Sequence, residues 1–182
     1  MPKVKYKAPK GYGDVTAYLR VANAATAIEF YHEAFGAKEI YRLKMGPDRI
    51  GHAELEFGDT RVMLSDEFPD MGIVGPKAIG GTSIVLALYV ADADAVFDRA
   101  VAAGCIVKRP LQDQFYGDRS GQLEDPYGHI WSIQTRIDDV SPKKMQKRLD
   151  AMMAARLPND QVAKPKPKAA SRPKAKLKEQ SS

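Results

Sequence analysis

A single cysteine, Cys105, stands in the whole chain, so no internal disulfide can staple it. Its apolar setting, Cys105-Ile106-Val107, points to a small buried thiol rather than a reactive one. No run of about 18 uncharged apolar residues exists to span a bilayer, which argues against a membrane partner. The opening MPKVKYKAPKGYG has no apolar stretch after its lysines, so the expected location is cytoplasmic. Only three histidines are present, His32, His52 and His129, which limits any metal site to these plus carboxylates. No Ser-His-Asp order is visible and the one thiol reads as core, so neither arrangement supports acyl-transfer chemistry.

Net positive charge is confined to one end. Between Leu157 and Ser182, six lysines and Arg172 face only Asp160 and Glu179, which accounts for the net +5 and leaves the body neutral. That segment is poor in apolar residues and broken by Pro165, Pro167 and Pro173, the composition of a disordered solvated tail. Its expected contact is weak, salt-sensitive association with polyanions.

What the body does have is an internal repeat. YLRVANAATAIEFYHEAFGAKEI, starting at Tyr18, lies over ALYVADADAVFDRAVAAGCIV, starting at Ala87, and EFGDTRVML at Glu56 lies over DPYGHIWSI at Asp125. In each copy a strand ends at Val21 or Val90. Asn23 or Asp92 then offers an acceptor to the first turn of a helix, and Gly36 or Gly104 ends it. Ala24, Ala27, Ile28, Tyr31 and Phe35 share one stripe, as do Val96, Ala100 and Ala103. Strands are expected over 38–45, 51–57 and 61–65, and over 105–109, 115–123 and 130–135. The architecture is thus α+β, a tandem βαβββ repeat forming a cupped mixed sheet. Its expected parts are a flexible 1–12, modules at 13–66 and 82–137 joined by a Gly/Pro-rich linker at 67–81, and a closing helix over 138–156 before the tail at 157–182.

The strings FYHEAFGA, IGHAELEFGDTRVMLSDEFPDMG, DQFYGDRSG, DPYGHIWSIQT and DDVSPKKMQKRLDAM together resemble the vicinal oxygen chelate superfamily of glyoxalase and bleomycin-resistance proteins, most closely its PhnB-like branch. The resemblance covers about 13–153 and implies a small organic ligand and a homodimer. It also implies that metal-dependent relatives take ligands at positions falling near Thr16, Val62 or Met63, Val85 and Ser132. None of these residue types is a good ligand for a hard divalent ion, so no metal or other cofactor is expected. A displaced metal held by His52 and Glu54, which share a strand face with Glu56, is the alternative.

Alternation turns Thr16, Tyr18 and Arg20 into the cup, with Val85, Ala87 and Tyr89 as their counterparts and Ser132 and Gln134 joining from the last strand. Trp131 and Ile133 pack behind. Candidate ligand-binding residues are therefore Tyr18, Arg20, His52, Glu54, Tyr89, Gln114, Tyr116, Arg119, Ser132 and Gln134. For acid-base work the candidates are Glu54 and Asp66, raised in pKa by burial, with Tyr116 and Arg119 stabilising negative charge. An Asp118–Arg119 pair and a loop-capping Asp66 are the purely structural readings. Ser141 and Pro142 open the last helix, whose Met145, Leu149, Met152 and Met153 form a stripe needing a partner. The favoured function is metal-independent binding of a partly aromatic, polar small molecule. A metal-dependent glyoxalase-class lyase or isomerase and a polyanion-associating protein stand as alternatives.

Overall fold

A computed structural model of the chain describes residues 8, 9 and 11–156. The basic tail and most of the expected flexible N-terminus lie outside the described residues. The first module runs β1 (Tyr18–Val21), α1 (Ala24–Phe35), β2 (Lys38–Lys44), β3 (Ile50–Phe57) and β4 (Thr60–Asp66). The second runs β5 (Val85–Tyr89), α2 (Ala93–Ala102), β6 (Ile106–Asp113), β7 (Asp118–Glu124) and β8 (Ile130–Arg136), and α3 (Pro142–Arg156) follows. The tandem repeat is present, and each copy forms its own four-stranded mixed sheet, ordered β1-β4-β3-β2 and β5-β8-β7-β6. In both, the first strand pairs in parallel with the last.

Local chemistry fixes the helix ends. The Asn23 side chain accepts from the Thr26 N–H at 3.2 Å, and Asp92 accepts from that of Ala95 at 3.0 Å. Gly36, at φ 72°, closes α1 by donating to the His32 carbonyl. The two helices pack on each other and on the apolar backs of the sheets, burying Leu19, Val21, Leu55, Leu64, Leu123 and Ile133. Tyr31, Phe35, Phe57 and Trp131 bind the halves into one aromatic core, with Phe35 and Trp131 centroids 4.7 Å apart.

A buried carboxylate organises that core. Asp125, 2% exposed, accepts from the Tyr31 hydroxyl at 2.8 Å, the Trp131 indole N–H at 2.9 Å and the backbone N–H groups of Tyr127 and His129 at 2.9 Å each. In the sequence, DPYG reads only as a turn. Its Asp is the acceptor joining α1 of the first module to β8 of the second.

Two strand expectations need correction. Residues 115–117 form a turn, not the start of β7, because Gly117 takes φ 97° and its N–H donates to the Gln114 carbonyl. Strand β6 runs on through Pro110 to Asp113; as an edge strand it tolerates a residue without an N–H, and its pairing with β7 shifts register there. The segment joining the modules holds a short 3₁₀ turn at Pro69–Met71 and a Phe68–Ile73 bridge. Helix α3 starts with the Ser141 hydroxyl accepting from the Lys144 N–H at 3.4 Å. Met145, Leu149 and Met152 on it are half-buried, and Met153 is exposed.

Candidate functional site

With the apolar face of each sheet on the helices, the other face is left for polar chemistry. In the first sheet the register sets Tyr18 beside Met63, Met63 beside Glu54 and Glu54 beside Tyr41, one row across four strands. In the second, Ala87, Ser132 and Gln122 make the matching row, and Tyr89, Gln134 and Ser120 the next. The candidate residues thus fall on two sheets.

Glu54 centres the first cluster. Only 5% exposed, it accepts from the Tyr41 hydroxyl and, at 3.0 Å, from Arg61. The His52 Nε2 stands 3.6 Å from its Oε1, and the His52 Nδ1 is 2.9 Å from the Tyr18 hydroxyl. Arg20 places its guanidinium 4.0 Å from the Tyr18 ring centroid and donates to the Ser65 hydroxyl. Tyr12, from the segment before β1, lies under Arg61 at 5.1 Å. Tyr12, Tyr41, His52, Glu54 and Arg61 line an open cavity of about 690 Å³ together with Thr16 and Met63, while Tyr18 and Arg20 line a separate cavity with Ala17 and His129.

Electrostatics here run against the expectation of a raised acid. Burial pushes the Glu54 carboxyl up, but hydrogen bonds from Tyr12, Tyr41 and His52 and the charge of Arg61 outweigh it, holding the group below its ordinary value. The same contact drives Tyr41 up to about 12, its hydroxyl donating to a carboxylate that a phenolate would repel. Glu54 is therefore an anionic anchor, not a stored proton.

Elsewhere the candidates separate. Asp66 points away from the cup, accepting from the backbone N–H groups of Ala24 at 2.8 Å and Ile50 at 2.7 Å. It secures the start of α1 and of β3. Arg119 lies on the helix side of β7, forked onto Asp94 of α2 at 2.6 Å and reaching Asp113 at 3.0 Å. The Asp118–Arg119 pair is accordingly absent: Asp118 turns the other way, 2% exposed, to accept from Tyr89 at 2.9 Å and to pair with Arg136. The Tyr116 hydroxyl is 3.1 Å from that of Ser120, and the Gln114 amide donates to the Gln112 and Ser120 carbonyls at 3.4 Å. Ser132 and Gln134 share a 3.4 Å contact. The His129 backbone N–H bonds Asp125 within the turn, while its side chain reaches β1, the Nε2 lying 3.0 Å from the Arg20 carbonyl. Tyr12, Tyr41, Arg61 and Gln122 were not singled out by sequence reasoning.

The cation positions implied by the family resemblance fit a metal poorly. Val62 is buried in the core, so Met63 is the residue facing the cup, and Val85 has no donor atom. Met63 also stands on a different sheet from Val85 and Ser132. Among the described residues no group of three His, Cys, Asp or Glu side chains is arranged to hold a metal ion, and no helix is long and apolar enough to cross a membrane.

Comparison with known proteins agrees with this architecture. Residues 13–133 match the family described as the Glyoxalase/Bleomycin resistance protein/Dioxygenase superfamily. An uncharacterized protein of Mycobacterium tuberculosis (strain H37Rv) is 40% identical over 136 residues, covering 72% of this chain and 79% of that protein. Among solved structures, TioX from Micromonospora sp. ML1 is similar at 26% identity and a TM-score of 0.54, covering 71% of this chain and 100% of TioX. A PhnB protein from Bacillus cereus, at 19% identity and a TM-score of 0.53, covers 68% of this chain and 99% of its own and shares the fold.

Proposed function

The chain belongs to the Glyoxalase/Bleomycin resistance protein/Dioxygenase superfamily, and from that premise we propose that it is a cytoplasmic protein that binds a small, partly aromatic and polar organic molecule without a metal ion. The observation that carries the reading is the first-sheet cavity. Tyr12, Tyr41 and His52 supply ring faces, while Glu54 and Arg61 fix one another in place before any ligand arrives. Preset polar groups within an aromatic wall give orientation at low ordering cost, the usual balance of a small-molecule site. The Arg61–Glu54 pair leaves this wall close to neutral, which favours hydrogen-bonding ligands over strongly charged ones.

Both sheet faces are open, and the second leaves Val85 and Tyr89 exposed next to Ile84. A second copy of the chain packed against the exposed Ile84–Val85 edge would cover that apolar surface, so the working unit in this proposal is a homodimer. The half-exposed stripe of α3 adds apolar surface for the same contact.

A thermal-shift screen of the full chain in excess chelator, using phenolic and aromatic amide compounds, tests the reading. Saturable stabilisation that survives chelation and is lost in Arg61→Ala is expected. Stabilisation that appears only with added zinc or nickel would instead favour the metal-dependent lyase or isomerase reading. Light scattering at micromolar concentration checks the dimer; a mass of 20 kDa would remove it.

A further inference from the structure

Composition and residue order offer no nucleophile with a base beside it, yet the fold assembles one from residues 34 positions apart. The Tyr18 hydroxyl and the His52 Nδ1 meet at 2.9 Å, and the far nitrogen of the same ring faces the Glu54 carboxylate at 3.6 Å. We propose that Tyr18 is an acyl-accepting nucleophile, activated by His52 as general base with Glu54 as the positioning residue, and that the first half-cup takes small acyl donors. The inference rests on the reading of this cup as the ligand site.

Three features carry it. Glu54 is kept anionic and immobile by Tyr41 and Arg61, so a negative charge faces Nε2 and favours the tautomer with its proton there. Nδ1 is then the unprotonated nitrogen, and the phenol is the group that donates to it. At 3.6 Å the Glu54 contact is a charge interaction rather than a hydrogen bond, enough to bias the tautomer. Finally, the Arg20 guanidinium over the Tyr18 ring at 4.0 Å favours negative charge building on the phenol, and Tyr18 remains 38% exposed, open to a reactant.

The step balances without an external reagent. The Tyr18 oxygen attacks the acyl carbon and the phenolic proton passes to His52 Nδ1. The new O–C bond forms as the bond from acyl carbon to leaving group breaks with its electron pair, and the imidazolium returns the proton to that leaving group. The oxidation states of carbon and nitrogen are unchanged. What results is an O-acyl tyrosine in the cup.

Two other tyrosines provide internal standards. Tyr89 is more exposed, at 56%, and donates to the Asp118 carboxylate at 2.9 Å; Tyr41 is 40% exposed and donates to Glu54. A carboxylate is a weaker base than imidazole by about two pKa units, so neither neighbour matches His52 as a proton acceptor. Exposure alone ranks Tyr89 first, whereas the relay ranks Tyr18 first.

The test treats the full-length protein with limiting N-acetylimidazole at neutral pH and follows acetylation of each site by peptide mass spectrometry. Tyr18 is expected to react at least roughly tenfold faster than Tyr89 and Tyr41, a modest share of what general-base assistance supplies. His52→Asn should bring Tyr18 down to the Tyr89 rate. Glu54→Gln should lower the Tyr18 rate while leaving that of Tyr89 unchanged. A Tyr18 rate at or below that of Tyr89 in the unsubstituted protein overturns the proposal with no variant needed, and a Tyr18 rate indifferent to Glu54→Gln overturns the three-residue relay. Because the reagent needs no prior binding, slow Tyr18 acetylation alongside chelator-resistant ligand binding sinks this inference alone. Fast acetylation with no ligand found sinks the binding reading alone.

Discussion

Replacing Asp125 probes the join between the two modules. Its carboxylate is 2% exposed and takes four donors, two from side chains and two from backbone. Asp125→Ala leaves all four unpaired in a site lined by Tyr31, Tyr127 and Trp131. Hydrogen bonds to a charged group are worth roughly 1.5–3 kcal/mol each, but they are not additive and water can enter part of the gap, so the expected loss is about 4 kcal/mol. Asp125→Asn keeps an acceptor for the two backbone groups but sets an NH₂ against the Tyr31 hydroxyl and the Trp131 N–H. Tyr31 can rotate its hydroxyl to accept, whereas the indole has no such freedom, so about 2 kcal/mol is expected. Urea unfolding read by the fluorescence of Trp131, the sole tryptophan, reports from the site itself. Losses below about 1 kcal/mol for Asp125→Ala, or equal losses for both variants, would refute the assignment of this carboxylate as the joint.

Asp66→Ala should cost about 2 kcal/mol by freeing the N–H groups of Ala24 and Ile50, measured by the same unfolding curve, with ligand binding retained in the surviving folded protein. Gly117→Ala should cost about 3 kcal/mol, since φ is 97° and an added Cβ would lie 2.3 Å from the Asp138 carbonyl; a change within experimental error would mean that the turn is built differently. Glu54 has its folded pKa below its unfolded one, so its contribution is fully present above the ordinary value near about 4.3 and is lost as pH falls through the lower folded value. The stability gap between the protein and Glu54→Gln should thus be flat from pH 5 to 7 and narrow at more acid pH; a gap that widens there contradicts the sign.

Much of the scaffold could be read from residue order because its signals are local. Asn23 and Asp92 at matching places, the glycine at 36, and the apolar stripe of α1 each report on a few neighbours, and the structure uses each one. Failures came where a local rule met a special backbone. A strand drawn through Phe115–Gly117 ignored a glycine at positive φ, and ending β6 at Arg109 gave Pro110 more weight than an edge strand requires. In the cup, simple alternation placed Tyr18, Arg20, His52 and Glu54 on one face. It missed Tyr41 because the β2–β3 pairing slips one residue between Glu39 and Tyr41, turning that phenol toward Glu54. The same alternation, applied to β7, would have put Arg119 on the helix side opposite Asp118. The Tyr31–Asp125 contact, between residues 94 apart, leaves no periodic trace at either end.

Ion binding to the dialysed full chain, followed by calorimetric titration with zinc and with nickel and by elemental analysis, tests the metal-free cup most directly. No stoichiometric uptake is expected, and an organic ligand should bind with the same affinity with or without chelator. One ion retained per chain, lost on replacing Ser132 or the His52–Glu54 pair, would contradict it.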